Sequence, residues 1–254
     1  MTESVTALCP PIVLGVEEER LRRKQRASAA FRLFAQMGFD HGVTGHVTVR
    51  DPQFPELFWV NPFGVHFGLI KPNQLLLVDH KGTIVQGSGE VNVPAYVIHA
   101  AIHEARPEVV AAVHTHSTYG KVWSTTGRML DPITQDACAF FRNHSVFQRY
   151  TGIIDSVSEA QLLSESLGEN KAAILSNHGL ITVGETVDSA AWWFIAMERC
   201  CQVQVLSESC GTPLRIPDAE ALKARSVVGT EAAGWRNFQP IFNFISRQAP
   251  DLFD

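Results

Sequence analysis

The stretch RPEVVAAVHTHS, residues 106–117, ends an apolar run with two histidines in alternating positions. The run predicts a buried strand, and side chains i and i+2 of a strand project from the same face, about 6–7 Å apart. His114 and His116 can therefore reach one ion. A third imidazole, His178, follows in SNHGL, residues 176–180, a segment that predicts a tight turn between two apolar strands.

These three histidines are candidate metal ligands. Three neutral imidazoles with one or two open positions are typical of catalytic zinc and of similar ions. A His-x-His pair is a weak signal by itself, because two histidines on a half-buried strand produce the same pattern. At this level both interpretations stay open.

Composition and charge exclude several classes of protein. The chain has 254 residues with 21 basic and 26 acidic side chains, a net charge of −5, so nucleic acid is not an expected partner. Its one basic cluster, RLRRKQR at residues 20–26, predicts a solvated helix face. No apolar run approaches the ~18 residues of a membrane span, and no secretory signal is recognised. Five cysteines without disulfide or zinc-finger spacing indicate reduced thiols, so we expect a soluble, cytoplasmic protein without a membrane partner.

Hydrophobic periodicity predicts a single α/β domain. Helices are predicted at residues 93–107, 186–211 and 17–38, the last with an apolar stripe of Leu21, Ala27, Ala30, Phe31, Phe34 and Met37. A hairpin is predicted at residues 75–87 and a strand–turn–strand at 171–184. Because hairpins recur among helices, we predict a central, mostly antiparallel β-sheet flanked by helices on both faces. An N-terminal arm (1–21) precedes the domain (22–212), and a C-terminal docking segment (213–254) follows it, with a neighbouring subunit as one candidate surface.

Several motifs occur in the order found in one family. Besides the histidine segments, these are GVTGHVTVRDP (42–52), FWVNPFGVHFGLIKPNQLLLVD (58–79) and AYVIHAAIHEARP (95–107). Together they resemble the class II aldolase and adducin head family over about residues 22–212. The resemblance implies the family fold, a homotetramer with active sites near subunit boundaries, and a divalent metal ion (zinc, manganese or iron) on His114, His116 and His178. The adducin branch keeps the fold without catalysis, but it usually lacks these three histidines.

The sequence departs from the sugar-phosphate aldolases where that branch handles protons and phosphate. The family's acid/base glutamate, nineteen residues before the first metal histidine, corresponds to Ala95, and its phosphate-binding serines correspond to Val93 and Pro94. Its Gly-Asn and Thr-Gly pairs correspond to Gly45-His46 and Phe63-Gly64.

These departures argue against a phosphorylated sugar as substrate. A buried phosphate dianion needs several hydrogen-bond donors, and four of the family's donors are replaced. We expect a flatter, more apolar acid, with Phe63 beside it and His46 meeting its carboxylate. The predicted substrate-binding residues are Gly45, His46, Phe63, Gly64 and His66.

Two carboxylates are candidates for the missing acid/base. Asp136, in DPITQDACAFF (131–141), occupies a place similar to that of the catalytic glutamate in a related dehydratase branch. Capping a helix is its alternative role. Glu90, in GSGEVN (87–92), is the second candidate. His99 is expected to pack behind the site rather than to bind metal.

The favoured function is that of a metal-dependent lyase which cleaves a carbon–carbon bond of a non-phosphorylated keto or hydroxy acid. Decarboxylation is favoured over retro-aldol cleavage, since departing CO₂ removes the need for a proton-abstracting base. A non-haem iron oxygenase acting on an aryl-pyruvate is one alternative. A non-catalytic, adducin-like interaction module is the other.

Overall fold

An eight-stranded sheet forms the centre of the molecule. The structure is a computed structural model that describes residues 9–11, 15–150 and 152–253, but not the side chains of residues 93–95. The strand order is β4-β3-β2-β1-β5-β8-β7-β6, and every neighbouring pair is antiparallel except β6–β7. The prediction of a mostly antiparallel sheet is therefore confirmed. The strands are β1 (His46–Arg50), β2 (Phe58–Val60), β3 (Leu76–Val78), β4 (Ile84–Gln86), β5 (Ala111–Thr115), β6 (His144–Phe147), β7 (Ala172–Leu175) and β8 (Gly179–Gly184).

Helices cover both faces of the sheet, as predicted. Helices α2 and α4 cover one face of the sheet, which we call the α2 face. Helices α1, α3 and α5 cover the opposite face, which we call the α5 face. None of the helices in the described ranges is long and apolar enough to cross a membrane. The helices are α1 (Val16–Gln36), α2 (Val93–Ala105), α3 (Thr118–Ser124), α4 (Val157–Leu167), α5 (Val187–Cys210), α6 (Asp218–Val228) and α7 (Glu231–Gln248).

Strand β1 shows how the sequence divides the two faces. Val47 and Val49 enter the large apolar core of the α5 face. Because side chains alternate along a strand, His46, Thr48 and Arg50 lie on the α2 face, where all three are buried. Polar residues therefore occupy one side of a fully buried strand.

The N-terminal helix corrects two predictions. It begins at Val16, one residue before the predicted start, and most of residues 1–15 lie outside the described ranges. Leu21 is 50% exposed, so its place in the apolar stripe was wrong. The basic cluster is not simply a solvated face, because Arg26 is buried against Asp188 and Arg20 pairs with Asp51 at 2.7 Å. These two carboxylates come from other parts of the chain, and a helix considered alone cannot reveal them.

The C-terminal segment packs onto its own chain. Helix α7 lies against α5 and α1, with Trp235, Phe238 and Phe242 buried in the contact. Gly234 permits the close approach, since a Cβ there would lie 2.7 Å from Trp193 Cζ2. The predicted docking is thus intramolecular for these residues.

Candidate metal centre and active site

The fold brings together the three histidines predicted as metal ligands. His114 lies near the end of β5, His116 follows that strand, and His178 lies in the turn between β7 and β8. Their ring centroids are 4.7 to 5.1 Å apart, and one nitrogen from each lies within 4.8 Å of the other two. They are the only such cluster of histidine, cysteine or acidic side chains in the described part of the chain.

Local backbone geometry brings His178 to the other two rings. Asn177 has φ of 58°, a left-handed conformation that Asn tolerates better than most residues. The His178 amide then donates to the carbonyl of Leu175 at 2.9 Å, and the Asn177 amide donates to that of Ser124 at 3.1 Å. Beyond the turn, β8 pairs with β5 so that Leu180 lies opposite Thr115.

The hydrogen bonding of His114 suits metal binding. Its Nδ1 lies 2.7 Å from the backbone oxygen of Leu180, which can only accept, so Nδ1 carries the proton. The Nε2 lone pair is left to face the other two rings. A carbonyl holding the second ring nitrogen in this way is the usual support of a metal-bound histidine.

The three imidazoles are neutral, as metal ligands must be. Burial lowers the pKa of His114 well below its ordinary value, and the neighbouring imidazoles lower it further. Burial, with His178 beside it, lowers the pKa of His116 to about 4. Burial also lowers the pKa of His178. The Nε2 atoms of His116 and His178 lie 2.9 Å apart, close to the roughly 3.3 Å between two nitrogens that share a tetrahedral zinc ion. The residues present therefore fit a divalent ion.

A buried glutamate holds the segment that follows His116. Glu198 of α5 accepts hydrogen bonds from the Ser117 hydroxyl at 2.6 Å and from the amides of Tyr119 at 2.8 Å and Gly120 at 2.5 Å. Sequence reasoning missed this residue. The available signal was a single carboxylate within the apolar run WWFIAMERCC of a helix.

The histidines face a cavity of about 470 Å³. Four side chains form its apolar rim, and each is substantially exposed: Val43, Phe63, Tyr150 and Ile153. Lys121 is the only lysine or arginine among the described lining residues, which include no aspartate or glutamate. The cavity thus combines a cation, the candidate metal ligands and an apolar mouth.

Three of the predicted substrate-binding residues line this cavity, namely Gly45, His46 and Phe63. Gly45 has φ of 98°, and a Cβ on it would lie 3.1 Å from the His114 oxygen, so glycine is required where β1 approaches β5. Gly64 follows Phe63 outside the lining. His66 also lies outside it, pairing with Asp40 at 2.8 Å and accepting from the Gly68 amide.

Neither predicted acid/base carboxylate lines the cavity. Asp136 borders a separate depression of about 290 Å³ beside Trp192 and Arg199. It stands at the start of a short 3-10 helix, where its side chain makes no capping hydrogen bond. Glu90 is exposed, and its backbone oxygen accepts from the Phe63 amide at 2.8 Å. The fold of this chain therefore does not place either carboxylate among the residues that line the cavity.

A further histidine lies behind the site. His99 Nε2 is 2.8 Å from His46 Nδ1, and both rings are buried, as expected for a residue that packs behind the site. His144 is buried elsewhere, at the start of β6, with its Nδ1 donating to the Phe140 oxygen and its Nε2 accepting from the Leu130 amide.

Comparison with known families agrees with this arrangement. The model of the class II aldolase and adducin N-terminal domain matches residues 25–205. The chain belongs to this family. The expected family resemblance and fold are therefore confirmed.

Relatives within the family carry names of more than one activity. The chain is 41% identical to decarboxylase NovR of Streptomyces niveus, over 96% of this chain and 91% of that one. It is also 41% identical to a 4-hydroxy-3-prenylphenylpyruvate oxygenase/4-hydroxy-3-prenylbenzoate synthase of Streptomyces roseochromogenus subsp. oscitans, over 96% and 88%. A solved structure of L-fuculose 1-phosphate aldolase from Glaciozyma antarctica PI12 superimposes with a TM-score of 0.91 at 41% identity, covering 98% of each chain. Membership of this family, together with the decarboxylase-named relative, supports a lyase-type enzyme, and the names leave its substrate open.

Proposed function

We propose that the protein is a metal-dependent lyase that decarboxylates a non-phosphorylated aromatic acid. The observation that carries the proposal is the composition of the cavity: three clustered histidines, one lysine, an apolar rim and no carboxylate among the described lining residues. The names of two relatives, a decarboxylase and an enzyme of aryl-pyruvate chemistry, support the same class of substrate.

Lys121 supports an anionic substrate of low charge. It lines the cavity close enough to His116 to lower the pKa of that imidazole, and within the described ranges its ammonium has no ion-pair partner. A carboxylate needs one such partner besides a metal ion. A phosphate dianion needs several donors, and one ammonium does not replace the lost hydroxyl and amide groups. The cavity is therefore better suited to a carboxylate than to a sugar phosphate.

The rim supports an aromatic body on that acid. Exposed apolar side chains on separate segments, Phe63 on one and Tyr150 and Ile153 on another, converge at the cavity mouth. An aromatic ring packed among them would remove apolar surface from water on both partners, at roughly 25 cal/mol per Å².

The missing carboxylate supports decarboxylation over aldol cleavage. A divalent ion held by His114, His116 and His178 would act as a Lewis acid on the oxygens of the substrate. In a 3-oxo acid, the bond to the carboxyl carbon breaks, CO₂ leaves and the electron pair moves onto the 3-oxo oxygen as an enolate, whose carbon then takes a proton from water. No group of the protein has to remove a proton from carbon. Lys121 holds the carboxylate and the rim orients the ring.

The test begins with elemental analysis of protein purified without added metal. We expect about one equivalent of a divalent ion in the wild type and in His66→Ala, a control in an exposed histidine outside the cavity, but none in His178→Ala. Absence of metal from the wild type, also after soaking with zinc, manganese or iron, would contradict the proposal.

Assays of the metal-loaded protein then separate the candidate reactions. We expect anaerobic CO₂ release from 3-oxo aryl acids. Turnover of an aryl-pyruvate that requires both iron and O₂ would replace the lyase by the oxygenase that one relative is named for. Cleavage of L-fuculose 1-phosphate would instead place the chain with the sugar-phosphate aldolases.

A further inference from the structure

A row of buried polar side chains leads from the cavity into the α2 face of β1. His46 Nδ1 lies 2.8 Å from His99 Nε2, His99 Nδ1 lies 2.7 Å from Thr48 Oγ1, and Thr48 Oγ1 lies 2.9 Å from His103 Nε2. Arg50 closes the row beyond His103. All five side chains belong to residues that are at most 8% exposed. We call these five residues the histidine row.

Two periodicities build this row. Alternate residues of β1 project towards α2, and His99 and His103 are one helical turn apart on α2. The Thr48 hydroxyl consequently lies between two imidazoles. A hydroxyl has one proton to donate, so it donates to one ring and accepts from the other. The direction of each hydrogen bond in the row therefore determines the next.

Arg50 decides that direction. A guanidinium is a permanent cation that only donates, and one of its nitrogens lies 3.4 Å from His103 Nδ1. A lone pair on Nδ1 is favourable towards this cation, whereas an N–H is not. The same nitrogen also donates to the backbone oxygens of His103 and Arg106, and the other two nitrogens donate to those of Val109 and Pro55. His103 therefore carries its proton on Nε2.

From that end the proton positions follow in sequence. His103 Nε2–H donates to the Thr48 hydroxyl, which donates to His99 Nδ1. His99 then carries its proton on Nε2 and donates to His46 Nδ1. Since Nδ1 of His46 accepts, the proton of His46 is on Nε2.

The rings of the row are neutral, as these positions require. His46 is neutral because its Nδ1 accepts from His99, and burial lowers the pKa of His99 well below the ordinary value. Burial first, and the Arg50 guanidinium next, lower the pKa of His103 to about 3.

The free nitrogen of His46 is turned towards the reaction site. His46 lies opposite His114 in the pairing of β1 with β5, their ring centroids are 5.2 Å apart, and His46 lines the cavity. Its Nε2 has no hydrogen-bond partner among the described residues, and it is outside the group of converging ligand atoms. Its N–H is available to a substrate.

We propose that the histidine row holds His46 as a neutral imidazole with its proton on Nε2. This N–H donates a hydrogen bond to the substrate oxygen that gains negative charge as the carbon–carbon bond breaks. This inference rests on the proposed function. The electron pair of the broken bond moves onto that oxygen, CO₂ leaves, and the product carbon later takes its proton from water, so His46 keeps its own. His46 is a catalytic residue of the electrophilic kind, and Thr48 and His99 are positioning residues.

The direct test is nitrogen NMR of the zinc-loaded protein labelled with ¹⁵N-histidine, which reports which ring nitrogen carries the proton. The His46 signal is assigned by its loss in His46→Asn. We expect Nε2 of His46 to be protonated and Nδ1 not. A proton on Nδ1 would overturn the inference whether or not the protein is active, since the row would then run in the opposite direction.

Thr48→Val tests the row without altering the cavity lining. We expect His46 to show both tautomers and kcat to fall about 10- to 100-fold, below the ~10²–10³-fold cost of losing an oxyanion donor outright. KM and zinc content should change less than twofold, and Thr48→Ser should restore both kcat and the wild-type tautomer. Thr182→Val is the matched control, because Thr182 is an equally buried strand threonine whose hydroxyl bonds only to the Ala190 oxygen.

The outcomes separate this inference from the proposed function. If Thr48→Val and Thr48→Ser both keep the wild-type kcat and tautomer, the row does not position His46. A fall in kcat equal to that of Thr182→Val would likewise reduce Thr48 to a packing role. If no acid is decarboxylated, the proposed function fails, while the NMR result still decides the tautomer.

Discussion

The Ser117 hydroxyl donates a hydrogen bond of 2.6 Å to Glu198, which ties the residue after His116 to the middle of helix α5. The same carboxylate accepts from two backbone amides at the start of α3. A buried carboxylate with three donors is well satisfied, so it holds the segment next to His116 in one position. One ligand of the candidate metal centre therefore depends on a residue of another element.

Glu198→Gln should weaken both the fold and the metal site. The amide nitrogen of glutamine cannot accept, so at least one buried donor loses its partner, at a cost of about 1–3 kcal/mol in the free energy of unfolding. We expect about 10- to 100-fold weaker zinc binding, the usual effect of removing a group that supports a ligand. Urea unfolding and competition with a chromogenic chelator measure the two effects. Glu220→Gln, the same change at an exposed position of α6, should alter neither appreciably; equal effects in both variants would contradict the role of Glu198.

Lys121→Met should impair substrate binding more than turnover. The substitution keeps an unbranched apolar chain and removes the ammonium, so the substrate carboxylate loses a charge-assisted hydrogen bond worth roughly 1.5–3 kcal/mol. We expect KM to rise about 10- to 100-fold, with bound metal unchanged. Steady-state kinetics test this, with Lys223→Met on the exposed surface of α6 as the control. An unchanged KM would mean that another group receives the carboxylate.

Gly45→Ala should disturb His114 through the backbone. Alanine at φ of 98° is strained by roughly 1–3 kcal/mol, and its Cβ would also lie 3.1 Å from the His114 oxygen. Gly127→Ala separates the two effects, because Gly127 has φ of 63° with open space around its Cβ position. We expect both variants to lose stability in thermal unfolding, but only Gly45→Ala to bind zinc more weakly. Equal zinc affinity in the two would show that β5 absorbs the added methyl group.

Acid should destabilise the folded protein before its carboxylates titrate. Burial lowers the pKa of His99, His103 and His144 below the 6.5 of an exposed histidine. The unfolded chain therefore binds more protons below pH 6.5, and the free energy of unfolding falls as the pH falls. For His103, with a folded pKa of about 3, the loss by pH 5 is roughly 2 kcal/mol. Urea unfolding of chelator-treated protein at pH 7 and pH 5 measures it, and His66→Ala should show the same fall. Equal stability at the two pH values would contradict neutral buried rings.

The elements that the sequence predicted are those whose pattern is local. Alternation and apolar runs located β5, β7 and β8, and the spacing of His114, His116 and His178 located their meeting point. Strand β6 and helix α4 were missed. HSVF is short and half polar, whereas α4 does bury a stripe at helical spacing, in which Ala160 and Ser164 are small residues that stand out little in the sequence.

The two predicted acid/base carboxylates lie outside the cavity lining for a different reason. Asp136 and Glu90 were placed by counting along the chain from family motifs, and counting does not say where a connecting segment turns. Lys121 has no local signal, and the lone carboxylate of Glu198 in an apolar run does not reveal its partners, since both roles come from contacts between elements distant in sequence. Thr48 likewise resembles any strand threonine until α2 is packed over it.

Helix α7 has a consequence for the biosynthesis of the protein. Ribosomes produce it after all the strands and after α5, yet it packs against Trp193 of α5. A nascent chain that has completed the sheet and the three histidines still lacks this cover over Trp193. Such an intermediate is a target for chaperones and is prone to aggregate. The core closes only after translation has passed Leu252, which is also buried in it.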